Sequence, residues 1–123
     1  MSSFFISEEP AAEDIVPGDA VLLAGGELDY EASPQLRHQL FERITPSTRR
    51  VVLDLSLATF IDSTAIGVLA GASKRLAEVS GGSLAVVCTD ENVLRIFEIA
   101  GIETIMELYG SRDEALAPSA RAG

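Results

Sequence analysis

Apolar and polar positions along this chain alternate between two periods, about two residues and about 3.6, which belong to strands and helices respectively. Residues 4–6 are a short apolar run and predict a first strand. An acidic stretch bracketed by Pro10, Pro17 and Gly18 reads as a loop, and "AVLLAG" as a second strand that stops at Gly25 and Gly26. Ser33 followed by Pro34 predicts a helix start, with Ser33 as N-cap and proline at the first helical position. Leu36, Leu40, Phe41 and Ile44 then recur at helical spacing until Pro46 ends the helix. Val51, Val52, Leu53 and Leu55 predict a third strand, whose nearly continuous apolar character suits burial on both faces and a central place in its sheet.

Between Ser63 and Ser80 the residues Ile66, Leu69, Ala72, Leu76 and Val79 fall on one stripe, while Lys74, Arg75 and Glu78 lie off it. Gly81 and Gly82 break this helix. "SLAVVC" predicts a fourth strand and "DENVLRIFEIAG" a helix with Asp90 as N-cap and Gly101 as stop. "TIMEL" predicts a short fifth strand, and residues 111–117 a terminal helix. Two strands followed by helices and strands in alternation predict an α/β fold. Its mixed β-sheet has four to five strands, with about four helices, and parallel crossovers bury the central strands.

Composition narrows what such a fold does. At 123 residues and 47% hydrophobic content, the chain fits one compact domain. A formal net charge of −10, with nine basic residues in no dense patch, argues against direct contact with nucleic acid, whose phosphates demand clustered Lys and Arg. The first residues lack a basic leader with a long apolar core, and no run approaches the roughly 18 apolar residues of a membrane span, which points to the cytoplasm. Cys88 stands alone, so no internal disulfide is possible, and it reads as a small buried strand residue.

The residues needed for catalysis are not assembled. There is no Gly-x-Ser-x-Gly elbow and no Gly-x-x-x-x-Gly-Lys phosphate loop, and the single histidine, His38, falls near the solvent side of its helix. None of the 19 acidic residues pairs with Cys or His at ligand spacing, so neither a metal nor a cofactor is expected. Asp54, at the end of a central strand, invites comparison with a response-regulator receiver. Receivers also need paired acids after the first strand and a lysine after a late one, and neither is present, so Asp54 reads as structural.

The informative chemistry lies in "FIDSTAIG", residues 60–67, between the third strand and the longest helix. With Asp62 as N-cap, its carboxylate accepts the N–H of Thr64 or Ala65, worth about 1 kcal/mol. Ser63 then takes the first helical position with its hydroxyl turned outward. A helix N-terminus carries about half a positive charge and several unpaired N–H donors, so a phosphate on Ser63 would be tolerated by its own domain. It would add roughly −1.5 to −2 charges to an edge that holds Asp62, and also Glu27 and Asp29 if the loop after the second strand lies nearby. The plainer alternative is that Asp-Ser-Thr does nothing beyond opening a helix.

Three stretches tip the balance: "GELDYEASPQLRHQL", "VVLDLSLATFIDSTAIGVLAGASKRL" and "GGSLAVVCTDENVLRIFEIAGIETIMEL". Across residues 21–108 the chain resembles the STAS domain family, in particular stand-alone bacterial anti-sigma factor antagonists. The resemblance implies one STAS-like domain over residues 1–123, with flexible ends near 1–3 and 118–123. It further implies a protein that binds an anti-sigma factor with a kinase fold, so that sigma factor is released, and that is switched off when this partner phosphorylates a serine. A phosphatase would reverse the switch. By the same resemblance Ser63 is the phosphoacceptor, Thr64 sits where a second hydroxyl often stands, and Asp29, Asp62 and Gly67 join them in contacting the partner. Ala65 replaces the family's usual glycine, which on this reading holds the partner further away. Within the family the alternative is an adaptor subunit of a transport or sensory complex that is never phosphorylated.

Overall fold

A computed structural model of the protein describes residues 3–9 and 17–117. The acidic loop at 10–16 and the ends 1–2 and 118–123 lie outside the described residues. In chain order the elements are β1 (Phe5–Glu8), β2 (Asp19–Leu28), α1 (Ser33–Glu42), β3 (Arg50–Ile61), α2 (Ser63–Ser80), β4 (Ser83–Val87), α3 (Glu91–Ala100), a 3₁₀ turn (Ile102–Thr104), β5 (Glu107–Tyr109) and α4 (Arg112–Leu116). The sheet order is β1-β2-β3-β4-β5, with β1 antiparallel to β2 and all other pairs parallel. The mixed sheet and its central β3 are therefore those the apolar pattern predicts.

Parallel neighbours need crossovers, and crossovers of one hand that advance in one direction put their helices on one face. Leu36 and Leu40 of α1, Leu69, Ala72 and Leu76 of α2, and Val93 and Phe97 of α3 all enter one core with Leu22, Leu28, Leu53, Leu55, Leu84 and Val86 of the sheet. Each fully buried leucine contributes roughly 1.5–3 kcal/mol. On the other face α4 sets Ala115 against Val21, Val52, Ala85 and Val87.

A helix of five residues is too short to persist unaided, and α4 is held by charge. The buried Arg50 donates from Nε to the Ala115 carbonyl at 2.9 Å and from its two terminal nitrogens to the Glu107 carboxylate at 3.0 and 3.2 Å. Arg112, the first residue of α4, donates to Asp54 in β3 and, at 2.6 Å, to Glu9 just past β1.

Several element ends differ from expectation. The second strand does not stop at Gly25 and Gly26 but continues to Leu28. Here glycine makes room: a Cβ on Gly25 would lie 2.5 Å from the Phe5 ring, and one on Gly26, at φ +78°, 2.1 Å from the Ser3 carbonyl oxygen. The third strand likewise runs on to Ile61, so Asp54 lies within it and not at its end. Ser33 is the first residue of α1 and not its cap, and α1 ends at Glu42, ahead of Pro46. Residues 102–104 are a 3₁₀ turn and β5 begins only at Glu107, while Cys88 follows the last residue of β4. Buried there, its thiol is pushed up in pKa and away from the reactive thiolate.

Burial by itself would raise the Asp54 carboxyl, but hydrogen bonds from Ser56 and Arg112 outweigh it and hold the group below its ordinary value. The same balance, with Arg50 as partner, lowers Glu107. A lowered folded pKa means that the unfolded chain takes up the proton first. The stability these pairs supply is therefore whole above about pH 4, the ordinary carboxylate value, and drains away as pH falls through the lowered folded values. Arg112→Ala leaves a buried carboxylate with one partner fewer; urea unfolding at pH 7 is expected to show a loss of about 1–3 kcal/mol, with acid unfolding beginning at higher pH than in the parent.

Candidate functional site

The C-terminal ends of β2, β3 and β4 each meet the start of a helix, the edge where open α/β sheets tend to bind. At each junction an aspartate carboxylate accepts a backbone N–H, and Asp62 and Asp90 are the N-caps of their helices. The Asp29 carboxylate accepts the N–H of Ala32 at 3.0 Å, Asp62 that of Ala65 at 3.0 Å, and Asp90 those of Asn92 and Val93 at 2.9 and 3.1 Å. The second and third strands finish in step: Leu28 stands opposite Ile61, and the Asp62 N–H donates to the Leu28 carbonyl at 3.1 Å. Asp29 and Asp62 are thus the next residues on adjacent strand ends, which puts two carboxylates beside the start of α2.

Because the Asp62 side chain takes the cap, Ser63 occupies the first helical position, exposed, and its hydroxyl makes no hydrogen bond among the described residues. Thr64 is exposed next to it. Gly67 lies one turn further along the same side of α2, also exposed, and a Cβ there would meet nothing within 4 Å. The fold therefore does not need glycine at 67. What its absent side chain leaves open is the surface beside Ser63.

Ala65 corrects the sequence reading. It is fully buried in the main core, so its methyl faces inward and does not hold a partner away. Glu27 is exposed and opposite Phe60 in the β2–β3 register, two rows below the two aspartates. Two roles escaped sequence reasoning. The Asp29 carboxylate accepts the N–H of Ala32, the residue just ahead of α1, a contact whose signal is an aspartate three residues earlier, ahead of the helical run. Tyr30, two-thirds exposed beside Asp29, is an aromatic side chain in a polar loop, a type that often anchors protein interfaces.

Residues weighed for other chemistry lie elsewhere. His38 is exposed on α1, 3.2 Å from Glu42. The Asp54 carboxylate is occupied by the Ser56 N–H and Arg112, on the α4 side of the sheet. Among the described residues no group of three His, Cys, Asp or Glu is placed to hold a metal ion, and no helix is long and apolar enough to cross a membrane.

The model of the STAS domain matches residues 11–115. The chain belongs to the STAS domain family. This STAS domain is similar to the anti-sigma F factor antagonist of Paenibacillus polymyxa, 33% identical over 100 residues that cover 80% of this chain and 85% of that one. It is also similar to the crystal structure of an anti-sigma factor antagonist from Mycobacterium paratuberculosis, with a TM-score of 0.81 and 25% identity over 98% of this chain and 96% of that one. The phosphorylated form of SpoIIAA, a Bacillus cell fate determinant, shares its fold at a TM-score of 0.63 and 18% identity, covering 89% and 96% of the two chains.

Urea unfolding separates the structural role of Asp62 from its neighbours. Asp62→Ala is expected to lose about 1 kcal/mol with its cap, Ser63→Ala less than about 0.5 kcal/mol as a surface change, and Gly67→Ala to gain up to about 1 kcal/mol of helix propensity.

Proposed function

We propose that residues 1–123 form one STAS domain that acts as an anti-sigma factor antagonist in the cytoplasm. Unmodified, it docks through Asp29, Asp62, Ser63, Thr64 and Gly67 on an anti-sigma factor with a serine-kinase fold, which then lets go of its sigma factor. It works by protein contact, without direct nucleic-acid binding and without catalysis of its own. The observation that carries this reading is the exposed Ser63 hydroxyl at the first position of α2, left unused because Asp62 supplies the cap.

In the off step the kinase moves the γ-phosphoryl group of ATP to the Ser63 oxygen. The hydroxyl proton passes to a base of the kinase and ADP leaves. The positive end of α2 favours the new anion, so the domain stays folded. The docking edge, by contrast, gains roughly −1.5 to −2 charges beside Asp29 and Asp62. Burying that group without a matched cation costs desolvation, and a penalty of about 3 kcal/mol weakens binding by about two orders of magnitude. A phosphatase restores the docking form by hydrolysing the ester. That SpoIIAA has been solved phosphorylated supports the tolerance of this fold for the modification.

The test uses the purified serine-kinase anti-sigma factors of the source organism, one at a time, with MgATP. Mass spectrometry is expected to find a single phosphate on Ser63. In calorimetric titrations Ser63→Ala is expected to bind like the parent and Ser63→Asp about a hundredfold more weakly. Equal affinity for all three forms, with no phosphate incorporated, would return the domain to the role of an unmodified adaptor.

A further inference from the structure

β3 departs twice from regular alternation, and both departures turn a large apolar side chain outward. Val51, Leu53 and Leu55 face the helices, and strict alternation would send Leu57 there too. The register instead slips by one residue between the Leu23–Asp54 and Gly25–Leu57 pairs, which puts Leu57 on the opposite face and Ala58 in the core. A second slip, between the Gly26–Ala58 and Glu27–Phe60 pairs, turns Phe60 out and Ile61 in. Bulges of this kind re-aim side chains and interrupt a ladder that would otherwise be complete.

The result is an apolar patch on the sheet face that α4 leaves bare. Leu57 is 55%, Phe60 47% and Phe5 43% exposed. The Phe5 ring and the Leu57 Cβ converge over Gly25, within 2.5 and 2.9 Å of where a Cβ would stand, so the three strands present one continuous row. Glu27, opposite Phe60, and Asp29 and Asp62 beyond it form an acidic rim. Phe60 is three residues before Ser63, about 11 Å at full extension. A standard interface of about 800 Å² per partner spans both.

The geometry points to Leu57 and Phe60, with Phe5 beside them, as the apolar anchor of the docking site whose switch is Ser63. This inference rests on the proposed function. The occupant is the anti-sigma factor itself, through a surface that offers an aliphatic pocket for Phe60 ringed by lysine or arginine to meet Glu27, Asp29 and Asp62. An apolar centre with a polar rim is the ordinary composition of such interfaces.

The test is titration of the purified serine-kinase anti-sigma factor with the parent, Ser63→Asp, the double variant Leu57→Thr with Phe60→Thr, Phe60→Leu, and Ile99→Thr. Threonine keeps strand propensity while removing apolar area. Ile99 is 76% exposed but sits near the C-terminal end of α3, towards the opposite edge of the sheet, and serves as the control. The expected result is at least a tenfold weaker complex for the double variant, an equal rise in KM for Ser63 phosphorylation with kcat unchanged, and near-parent values for Phe60→Leu and Ile99→Thr. Parent-like affinity of the double variant, alongside weakening by Ser63→Asp, overturns the anchor and leaves the proposed function standing. No binding of the parent by any such factor overturns both. A parent dimer in sedimentation that the double variant dissolves, with anti-sigma affinity unchanged, assigns the patch to a second copy of this chain and overturns the anchor. Thermal melting reports folding, and Phe60→Thr alone decides the matter if the double variant does not fold.

Discussion

β3 outruns its neighbour β4, and the edge that carries Ser63 depends on that difference in length. The two strands pair only from Arg50–Ser83 to Asp54–Val87, whereas β3 and β2 stay together up to Ile61–Leu28. As far as Asp54 the strand is hydrogen-bonded on both sides; beyond it, β2 is its remaining strand partner. A ladder held from one side tolerates extra residues, because a slip need satisfy only one neighbour's register. The same one-sided extension carries Asp62 up to the Leu28 carbonyl and so brings the starts of α1 and α2 together.

Two sets of charges do separate work on this frame. Arg50 and Arg112 bind the last helix to the sheet, and their carboxylate partners Glu107 and Asp54 are held in the ionised form by those contacts. The aspartates at the strand ends are instead half-exposed, each spending one oxygen on a backbone N–H at the start of a helix and leaving the carboxylate's charge at the surface. A charge added at Ser63 therefore meets the second set and not the first. Surface recognition can change by several kcal/mol while the core, which contains Ala65 but not Ser63, keeps its packing.

Acids are plentiful, yet among the described residues no three of them, with or without His or Cys, are grouped to hold a metal ion. The carboxylates at the sheet's C-terminal edge belong to different helix starts: Asp62 and Asp90 are oriented by backbone N–H groups of their own helices, and Asp29 by the N–H of Ala32 just ahead of α1. Converging on one atom would compete with those hydrogen bonds, of which the caps by Asp62 and Asp90 are each worth about 1 kcal/mol.

The element order, the central place of β3 and the run of α2 from Ser63 to Ser80 were legible in the sequence, because apolar periodicity and capping residues act within one turn or one pleat. Asp62 and Asp90 as caps follow from the same local chemistry. Glycine misled at 25 and 26, since a residue that usually ends a strand was there to admit the Phe5 ring and the Ser3 backbone from another part of the chain. Ser33 misled because Ala32 precedes it as the N-cap residue and the Ser33 hydroxyl donates to the Asp29 carbonyl, a contact made within the turn ahead of the helix. Only the tertiary structure set Asp29 beside Asp62, turned Ala65 inward and Leu57 and Phe60 outward, and placed Arg112 on Asp54 across 58 residues of chain. Local pattern specifies which elements form; which side chains meet, and which face of a strand is left uncovered, depends on pairing between distant segments, and a one-residue slip in that pairing reverses the answer.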